Sequence, residues 1–167
     1  LVARQRDAGL AAPPQWAGLR FFNVYGPQEG HKGDMRSVIA KTFPALQSGQ
    51  AMRLFRSDRD DYGDGGQMRD FIHVRDCAEV VCWLLDNPGV NGFFNLGTGQ
   101  ARTWLDLAHA MFAALGREPE IEFFEMPEEL KGRYQYFTQA EMMRLRQAGY
   151  DRDFTSLEDG VADYING

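Results

Sequence analysis

Short apolar segments bounded by chain breakers alternate along this chain with longer amphipathic segments, and this alternation limits the fold more than any other feature. Five segments predict strands: residues 18–24, 52–55, 69–74, 92–96 and 121–126. Helical patterns of about 10 to 15 residues separate strands in this way in βαβ units and not in β-sandwiches. The sequence therefore predicts a parallel or mixed α/β fold, and its 167 residues predict one domain.

Helices are predicted from apolar spacing and from the residues that begin them. Over residues 76–87, apolar side chains at helical spacing form a stripe that should pack against a sheet: Cys77, Val80, Val81, Leu84 and Leu85. Three further helices should begin at a threonine with a carboxylate three residues later: Thr103 with Asp106, Thr138 with Glu141 and Thr155 with Glu158. A last helix is predicted over residues 34–48, kinked or divided by Pro44.

The net charge of −6 argues against nonspecific binding to nucleic acid or to an anionic membrane. Its distribution is uneven, because residues 1–57 carry eight basic side chains and only three acidic ones. Two interpretations stay open: ordinary scatter of surface charge, or a local anion site in the first third. The sequence has no apolar run of membrane-spanning length and no secretory signal, and it begins with Leu1. We therefore expect a cytoplasmic chain that lacks its beginning.

Neither the cysteines nor the histidines have the spacing of a metal site. Cys77 and Cys82 lie five residues apart, and we expect both to be buried, reduced thiols. The three histidines are scattered, so no zinc site is expected. Residues 57–67 hold four Asp and three Gly. A calcium loop would need a Glu where Arg69 stands, so a solvated surface loop is favoured.

Two segments after the first predicted strand carry candidate ligand-binding side chains. Residues 23–27 (NVYGP) turn the chain at the carboxyl end of the strand, where ligands sit in open α/β sheets. Asn23 either contacts a ligand there or only stabilises the turn. The next loop, residues 28–34, holds Lys32 between two glycines. A partly desolvated lysine can act as a general base, although a solvated lysine is the more common outcome.

Arg56 and Arg69 are predicted at neighbouring strand ends, where their planar guanidinium groups suit phosphate oxygens. The alternative partners are the acidic loop between the two arginines, Asp70 and Asp76, and the residues alone favour such ion pairs. Both interpretations remain open at this point.

A G-x-G turn follows the strand at residues 92–96, but Arg102 stands where a dinucleotide fingerprint needs its third Gly. We therefore predict a tight strand-to-helix turn, with phosphate binding as the less favoured alternative. Tyr134, in the segment KGRYQ, either stacks on a base or holds a phosphate, or it packs on the core with its hydroxyl outside. Core packing is favoured.

Four segments, in this order, carry a resemblance to a known family: LRFFNVYGPQEGHKGDM, RDFIHVRDCAEVVCWLL, GFFNLGTG and KGRYQYFTQAE. They resemble the carboxyl-terminal half of extended short-chain dehydrogenase/reductases and, more narrowly, the ADP-L-glycero-D-manno-heptose 6-epimerases. The resemblance covers essentially the whole chain from residue 18 onward. The strand and turn RFFNVYGP identify only the superfamily, whereas EGHKG and KGRYQ are the narrower signals.

The resemblance implies the distal part of a Rossmann-type NAD(P)-binding domain joined to a smaller α/β substrate-binding domain. It implies that C6″ of ADP-heptose is oxidised by NADP, that the aldehyde rotates, and that hydride returns to its other face, in a homo-oligomeric enzyme. Lys32 matches one of two proton-transfer groups, and Val24 and Lys32 match cofactor-contacting positions. The matched substrate-contacting positions are Asn23, Asp34, Lys41, Phe55, Arg56, Ser57, Asp58, Arg69 and Tyr134.

Departures from the family's pattern keep alternatives open. Asp34, Lys41 and Arg56 stand where Ser, His and an acidic residue are expected. A UDP-sugar 4-epimerase or a dTDP-glucose 4,6-dehydratase is therefore the runner-up. The sequence contains no Tyr-x-x-x-Lys pair and no glycine-rich phosphate loop, so half of the cofactor site and one acid/base would lie outside it. The alternative from another functional class is a noncatalytic module that binds sugar nucleotides.

Overall fold

The computed structural model describes residues 2–167 of the chain. Its first half contains α1 (Val2–Asp7), β1 (Ala17–Phe21), β2 (Asn23–Tyr25), a 3-10 helix (Glu29–Met35), α2 (Val38–Gln47) and β3 (Met52–Phe55). The remainder contains β4 (Met68–His73), α3 (Val74–Asp86), β5 (Gly92–Leu96), β6 (Ala101–Thr103), α4 (Trp104–Ala114), β7 (Ile121–Phe124), α5 (Met143–Gln147) and α6 (Leu157–Asn166). The predicted mixed α/β class is confirmed.

The strands form three small sheets, and three of the four strand pairs are parallel. β1 pairs with β5, and β3 pairs with β7. In the third sheet β4 lies between β2, which is parallel to it, and β6, which is antiparallel. Within residues 2–167, no helix has the length and apolar character needed to cross a bilayer.

The strand predicted over residues 18–24 is two strands in different sheets. At Phe22 the chain leaves the β1–β5 sheet, since the Phe22 N–H still donates to Leu96 but the Val24 N–H donates back to the carbonyl of Phe22. That bond spans only two residues, which is the geometry of a γ-turn and not of a ladder. As a result, Asn23 and Val24 lie beside β4 and not beside β5.

Helix α3 follows β4 directly, and its buried stripe is narrower than predicted. The side chains that it buries include Cys77, Val80 and Leu84. Val81 and Leu85 are exposed, Leu85 to 70%. The expectation that both thiols are buried is correct for Cys77 and wrong for Cys82, which is exposed.

Of two predicted helix starts, the one at Thr103 is confirmed and the one at Thr155 is displaced by one residue. Thr103 and Asp106 form the predicted capping box at the start of α4. Helix α6 is capped by Ser156 and not by Thr155, because the Thr155 hydroxyl donates to the Asp76 carboxylate at 2.8 Å. A tertiary contact therefore overrides the local pattern there.

Two other helix predictions are wrong about where the helix lies. Thr138 begins no helix, because the chain there runs beside β4 and its N–H donates to the carbonyl of Met68; α5 begins only at Met143. The helix predicted from residue 34 begins instead after Ser37, whose side chain caps α2. Pro44 lies inside α2 and does not divide it.

Candidate functional site

Two adjoining cavities lie where β2, β3, α2 and α4 meet. The first, of about 260 Å³, is lined by residues that include Asn23, Val24 and Arg36. The second, of about 130 Å³, is lined mainly by aromatic and aliphatic side chains: Val38, Arg53, Leu54, Phe55, Trp104, Phe124 and Tyr134. Val38 and Trp104 line both cavities, which together we call the cleft. The cleft therefore connects sequence-predicted residues from separate parts of the chain.

Arg69 packs against two aromatic rings of the cleft and is only 8% exposed. Its guanidinium carbon lies 5.7 Å from the Trp104 ring centre and 5.2 Å from that of Tyr134. Its one hydrogen bond is donated to the carbonyl of Met68, at 2.8 Å, and no carboxylate of residues 2–167 forms an ion pair with it. Burial lowers the pKa of Arg69, while Tyr134 acts in the opposite direction.

A buried arginine with no acidic partner is unusual, because removing a charge from water is costly unless that charge is paired. Arginine nevertheless remains protonated at any working pH. Arg69 lines neither cavity itself, but its unpaired cation lies against Trp104 and Tyr134, which do line them.

Arg56 differs from Arg69, although the sequence presents both as phosphate candidates. Arg56 pairs with Asp64 at 3.0 Å and with Glu125 at 3.6 Å. Asp64 also accepts a hydrogen bond from the Ser57 N–H at 2.9 Å. The acidic-partner interpretation is thus correct for Arg56 and wrong for Arg69. Contacts of Arg56 and Ser57 with a substrate stay predictions.

The Asp-rich loop after β3 is tied to its surroundings by its own carboxylates. Asp58 accepts a hydrogen bond from the Tyr136 hydroxyl and donates its N–H to the same oxygen at 2.9 Å. Asp61 pairs with Arg59 at 2.6 Å. In the part of the chain that the structure describes, no three His, Cys, Asp or Glu residues are grouped so as to hold a metal ion.

Glu29 organises the loop that carries Lys32. It is buried and accepts hydrogen bonds from the Ser37 N–H at 2.8 Å, the Ser37 hydroxyl at 2.6 Å and the Gly26 N–H at 3.4 Å. Its carboxylate lies 3.5 Å from the ammonium of Lys32, whose side chain is 37% exposed. Burial alone would raise the pKa of Glu29, but the Ser37 bonds and the Lys32 charge lower it overall. Glu29 therefore stays ionised and fixes both the loop and Lys32.

Lys32, Asp34 and Lys41 are all exposed, and none of them lines either cavity of the cleft. Asp34 lies in the 3-10 helix and Lys41 in the first turns of α2. Their predicted substrate contacts stay predictions.

The G-x-G turn after β5 is closed around Asp70. This fully buried carboxylate accepts hydrogen bonds from the N–H groups of Thr98 at 2.7 Å, Gly99 at 2.9 Å and Ala140 at 2.9 Å. A Cβ on Gly97 would stand 2.7 Å from the Asp70 carboxylate, so the close approach requires glycine. The turn is tight, as predicted, but it leads into β6 and not directly into a helix, so the strand-to-helix part of the prediction is wrong. Its amides are occupied by Asp70 and form no phosphate cradle.

These observations also test whether the chain fits a nicotinamide dinucleotide. Val24 stands in the cleft at the end of the first sequence-predicted strand, as a residue beside a nicotinamide would. The one glycine turn that resembles a phosphate loop is filled by Asp70. Among residues 2–167 this turn therefore offers no free amides to a cofactor diphosphate, and the contacts of Val24 and Lys32 with a cofactor stay predictions.

The site residues that sequence reasoning missed include Trp104 and Glu29. Trp104 is the first residue of α4 and lines both cavities. The signal available in the sequence was an aromatic residue directly after a capping threonine, which places a large ring at the start of a helix. Glu29 stands three residues before Lys32, a spacing at which side chains meet within a helical turn.

Comparison with known proteins identifies the family of the chain. Residues 10–97 match the NAD dependent epimerase/dehydratase family. An ADP-L-glycero-D-manno-heptose-6-epimerase of Nitratidesulfovibrio vulgaris is 62% identical over 149 residues, which are 89% of this chain and 46% of that protein. One of Fusobacterium nucleatum is 43% identical, over 92% of this chain and 48% of that protein. The chain spans about half the length of these relatives.

Solved structures share the fold. The ADP-L-glycero-D-manno-heptose-6-epimerase of Helicobacter pylori superposes with a TM-score of 0.71 at 24% identity, covering 91% of this chain and 44% of that chain. A UDP-glucose 4-epimerase of Thermus thermophilus in complex with NAD gives 0.72 at 24% identity, covering 98% and 48%. At this identity the likeness concerns the fold alone. From the family match and these relatives, the chain belongs to the NAD dependent epimerase/dehydratase family.

Proposed function

We propose that this chain is the substrate-binding half of an enzyme that epimerises ADP-D-glycero-D-manno-heptose at C6″ with NADP. The names of relatives at 62% and 43% identity support this substrate. The structural observation that carries the proposal is Arg69, a buried guanidinium that pairs with no carboxylate among the described residues. A planar cation of this kind suits the oxygens of a nucleotide-sugar diphosphate.

The residues that line the cleft indicate how the proposed substrate is oriented along it. Aromatic rings stack well on nucleobases, so the base occupies the end lined by Phe55, Phe124 and Tyr134. The diphosphate then lies beside Arg69, next to Tyr134. The sugar extends toward Asn23 and Val24, at the other end of the cleft.

The chemistry divides between the cofactor and this chain. NADP, when bound, supplies reversible removal and return of hydride at C6″. Lys32 transfers a proton at the C6″ oxygen on one face of the sugar, and Glu29 holds its ammonium in place at 3.5 Å. The other face needs a second proton carrier, the tyrosine of the Tyr-x-x-x-Lys pair that this sequence lacks. For the same reason we expect the chain alone to be inactive.

A chimera tests the proposal. This chain replaces the corresponding half of the Nitratidesulfovibrio vulgaris relative, and the product is assayed with ADP-D-glycero-D-manno-heptose, UDP-galactose and dTDP-glucose. We expect epimerisation of the ADP-sugar alone. Turnover of UDP-galactose or dTDP-glucose in its place would assign the chain to the runner-up activity. A folded chimera that binds ADP-heptose and NADP without turnover would indicate a noncatalytic binding module.

The role of Lys32 is tested in the same chimera. Lys32→Met should keep NADP and substrate binding but lower the epimerisation rate by roughly 10²–10⁴-fold, the usual contribution of a general acid or base. Lys131→Met is the matched control, because Lys131, like Lys32, pairs with a glutamate three residues earlier in the chain. A Lys32→Met rate within about threefold of the unmutated rate would place the proton carrier elsewhere.

A further inference from the structure

Trp104 joins the two cavities of the cleft and is hydrogen-bonded to one of its other walls. Its indole N–H donates to the Tyr134 hydroxyl oxygen at 3.1 Å. Its ring packs edge-on against Phe71, with centroids 5.2 Å apart. The capping box of Thr103 fixes the backbone immediately before it. Trp104 is therefore held in one orientation by three separate contacts.

The indole bond determines what the Tyr134 hydroxyl can do. An indole N–H is a donor only, whereas a phenol both donates and accepts. The Tyr134 oxygen must therefore accept from Trp104, which leaves its own hydrogen free to donate. Among residues 2–167 the hydroxyl has no other hydrogen-bond partner. Its hydrogen is thus available to an acceptor in the cleft.

The surroundings of Tyr134 indicate the charge of that acceptor. The Arg69 guanidinium carbon lies 5.2 Å from the Tyr134 ring centre. An anionic oxygen that accepts a hydrogen bond from this hydroxyl can therefore also be attracted by the unpaired Arg69 cation. Phe55 packs edge-on against the Tyr134 ring at 5.7 Å, so the ring is held from a second side. Donors that are already oriented lose less entropy when a ligand binds.

We propose that Trp104 is a positioning residue: its indole N–H holds the Tyr134 hydroxyl as a donor to an anionic oxygen beside Arg69. Trp104 thereby helps the cleft to select a diphosphate ligand over a neutral nucleoside. This inference rests on the proposed function for the identity of the ligand, but the anion site itself can be tested without turnover.

The test is a set of calorimetric titrations with ADP, pyrophosphate and adenosine, in the isolated chain and in the chimera. Trp104→Phe keeps an aromatic wall and removes the N–H. We expect it to weaken ADP and pyrophosphate about three- to tenfold, the usual net effect of one hydrogen bond, and to change adenosine binding less than about twofold. In combination with Tyr134→Phe it should add nothing to the loss from Tyr134→Phe alone.

Several outcomes would overturn the inference. Equal weakening of ADP and adenosine would make Trp104 only a wall of the cleft, and additive losses in the double variant would show that Trp104 and Tyr134 act separately. Trp83→Phe is the control for aromatic loss, because Trp83 packs on Tyr150 and lines neither cavity. Unmutated protein that binds neither ADP nor pyrophosphate would also overturn it. If Trp104-dependent ADP binding persists in a chimera that does not epimerise ADP-heptose, the proposed function fails and this inference stands.

Discussion

Two neighbouring charged residues of β4, Arg69 and Asp70, point to opposite faces of the strand, and only Asp70 is compensated by hydrogen bonds from several groups of the chain. Asp70 is fully buried and accepts hydrogen bonds from Thr98, Gly99 and Ala140. Arg69 is nearly as buried, yet among residues 2–167 its guanidinium donates only to the carbonyl of Met68. Successive side chains of a strand point to opposite faces, so one strand serves both environments. We call them the Asp70 face and the Arg69 face.

The different compensation of the two charges indicates a structural role for Asp70 and a binding role for Arg69. A buried charge is tolerated when donors or acceptors of the protein compensate it, as they do on the Asp70 face. On the Arg69 face the compensation is incomplete, since aromatic rings contribute only about 0.5–2 kcal/mol to a cation. An anionic ligand would supply the rest. We therefore expect damage to the Asp70 face to reduce stability and damage to the Arg69 face to reduce binding.

The largest expected effect comes from removing the Asp70 carboxylate. Asp70→Ala leaves three N–H groups without their acceptor and should lower the free energy of unfolding, as measured by urea denaturation, by at least about 3 kcal/mol, because each buried donor left unsatisfied costs about 1–3 kcal/mol. Asp151→Ala, at an exposed position, should leave that free energy unchanged. If Asp70→Ala does not fold, Asp70→Asn, which keeps one acceptor oxygen, should still be measurably less stable than the unmutated chain. A stable Asp70→Ala variant would refute the assignment of this face to structure.

The Arg69 face should respond in the opposite way. Arg69→Ala should weaken ADP binding by about 1.5–3 kcal/mol, the value of a hydrogen bond to a charged group, or roughly 10- to 150-fold. Its free energy of unfolding should not fall, because a costly buried charge is removed. Arg75→Ala is the matched control, since Arg75 is exposed, is already paired with Asp163 and lines neither cavity. Its binding loss should stay below about 1 kcal/mol. Equal losses of ADP affinity in the two variants would show that the unpaired Arg69 has no special role in binding.

The smallest effect concerns pH and sharpens the comparison within the Arg69 face. His73 shares this face of β4 and is buried. Burial lowers its pKa, although Asp163 and Asp76 act against that shift. Because the folded-state pKa is the lower one, protonation favours the unfolded chain. The stability that neutral His73 contributes is complete above the unfolded value of about 6.5 and is lost as pH falls through the folded pKa.

Urea denaturation between pH 7.5 and 5 measures this effect. The free energy of unfolding should fall with pH by at most about 1.4 kcal/mol per unit, the limit for one proton. His73→Gln should flatten the profile, whereas His109→Gln, at an exposed position, should not. A stability that rises on acidification in this range would mean that His73 is protonated in the folded chain.

Local patterns predicted the parts of this molecule that local forces determine. The bounds of β3 and β5 agree with the sequence prediction, because breakers enclose both apolar runs. The capping box of Thr103 is equally local. The difference between Arg69 and Asp70 was not predictable, since the donors that surround Asp70 come from positions 28 to 70 residues further along the chain.

The cleft was predictable only in pieces. Asn23 and Tyr134 were identified by motifs, but the sequence did not show that Trp104 connects their two cavities. The break at Phe22 was also missed, because the apolar pattern continues unbroken through it while the chain changes sheets. Pairing between distant segments, which leaves no local trace, accounts for these failures.

A crystal structure of the chain, alone or in the chimera, grown with ADP would show directly where the diphosphate binds. We expect a diphosphate oxygen within about 2.7–3.2 Å of the Arg69 guanidinium and of the Tyr134 hydroxyl, with Asp70 still bound to the turn at Gly99. A diphosphate seated on that turn, with Asp70 displaced and Arg69 unpaired, would contradict this expectation.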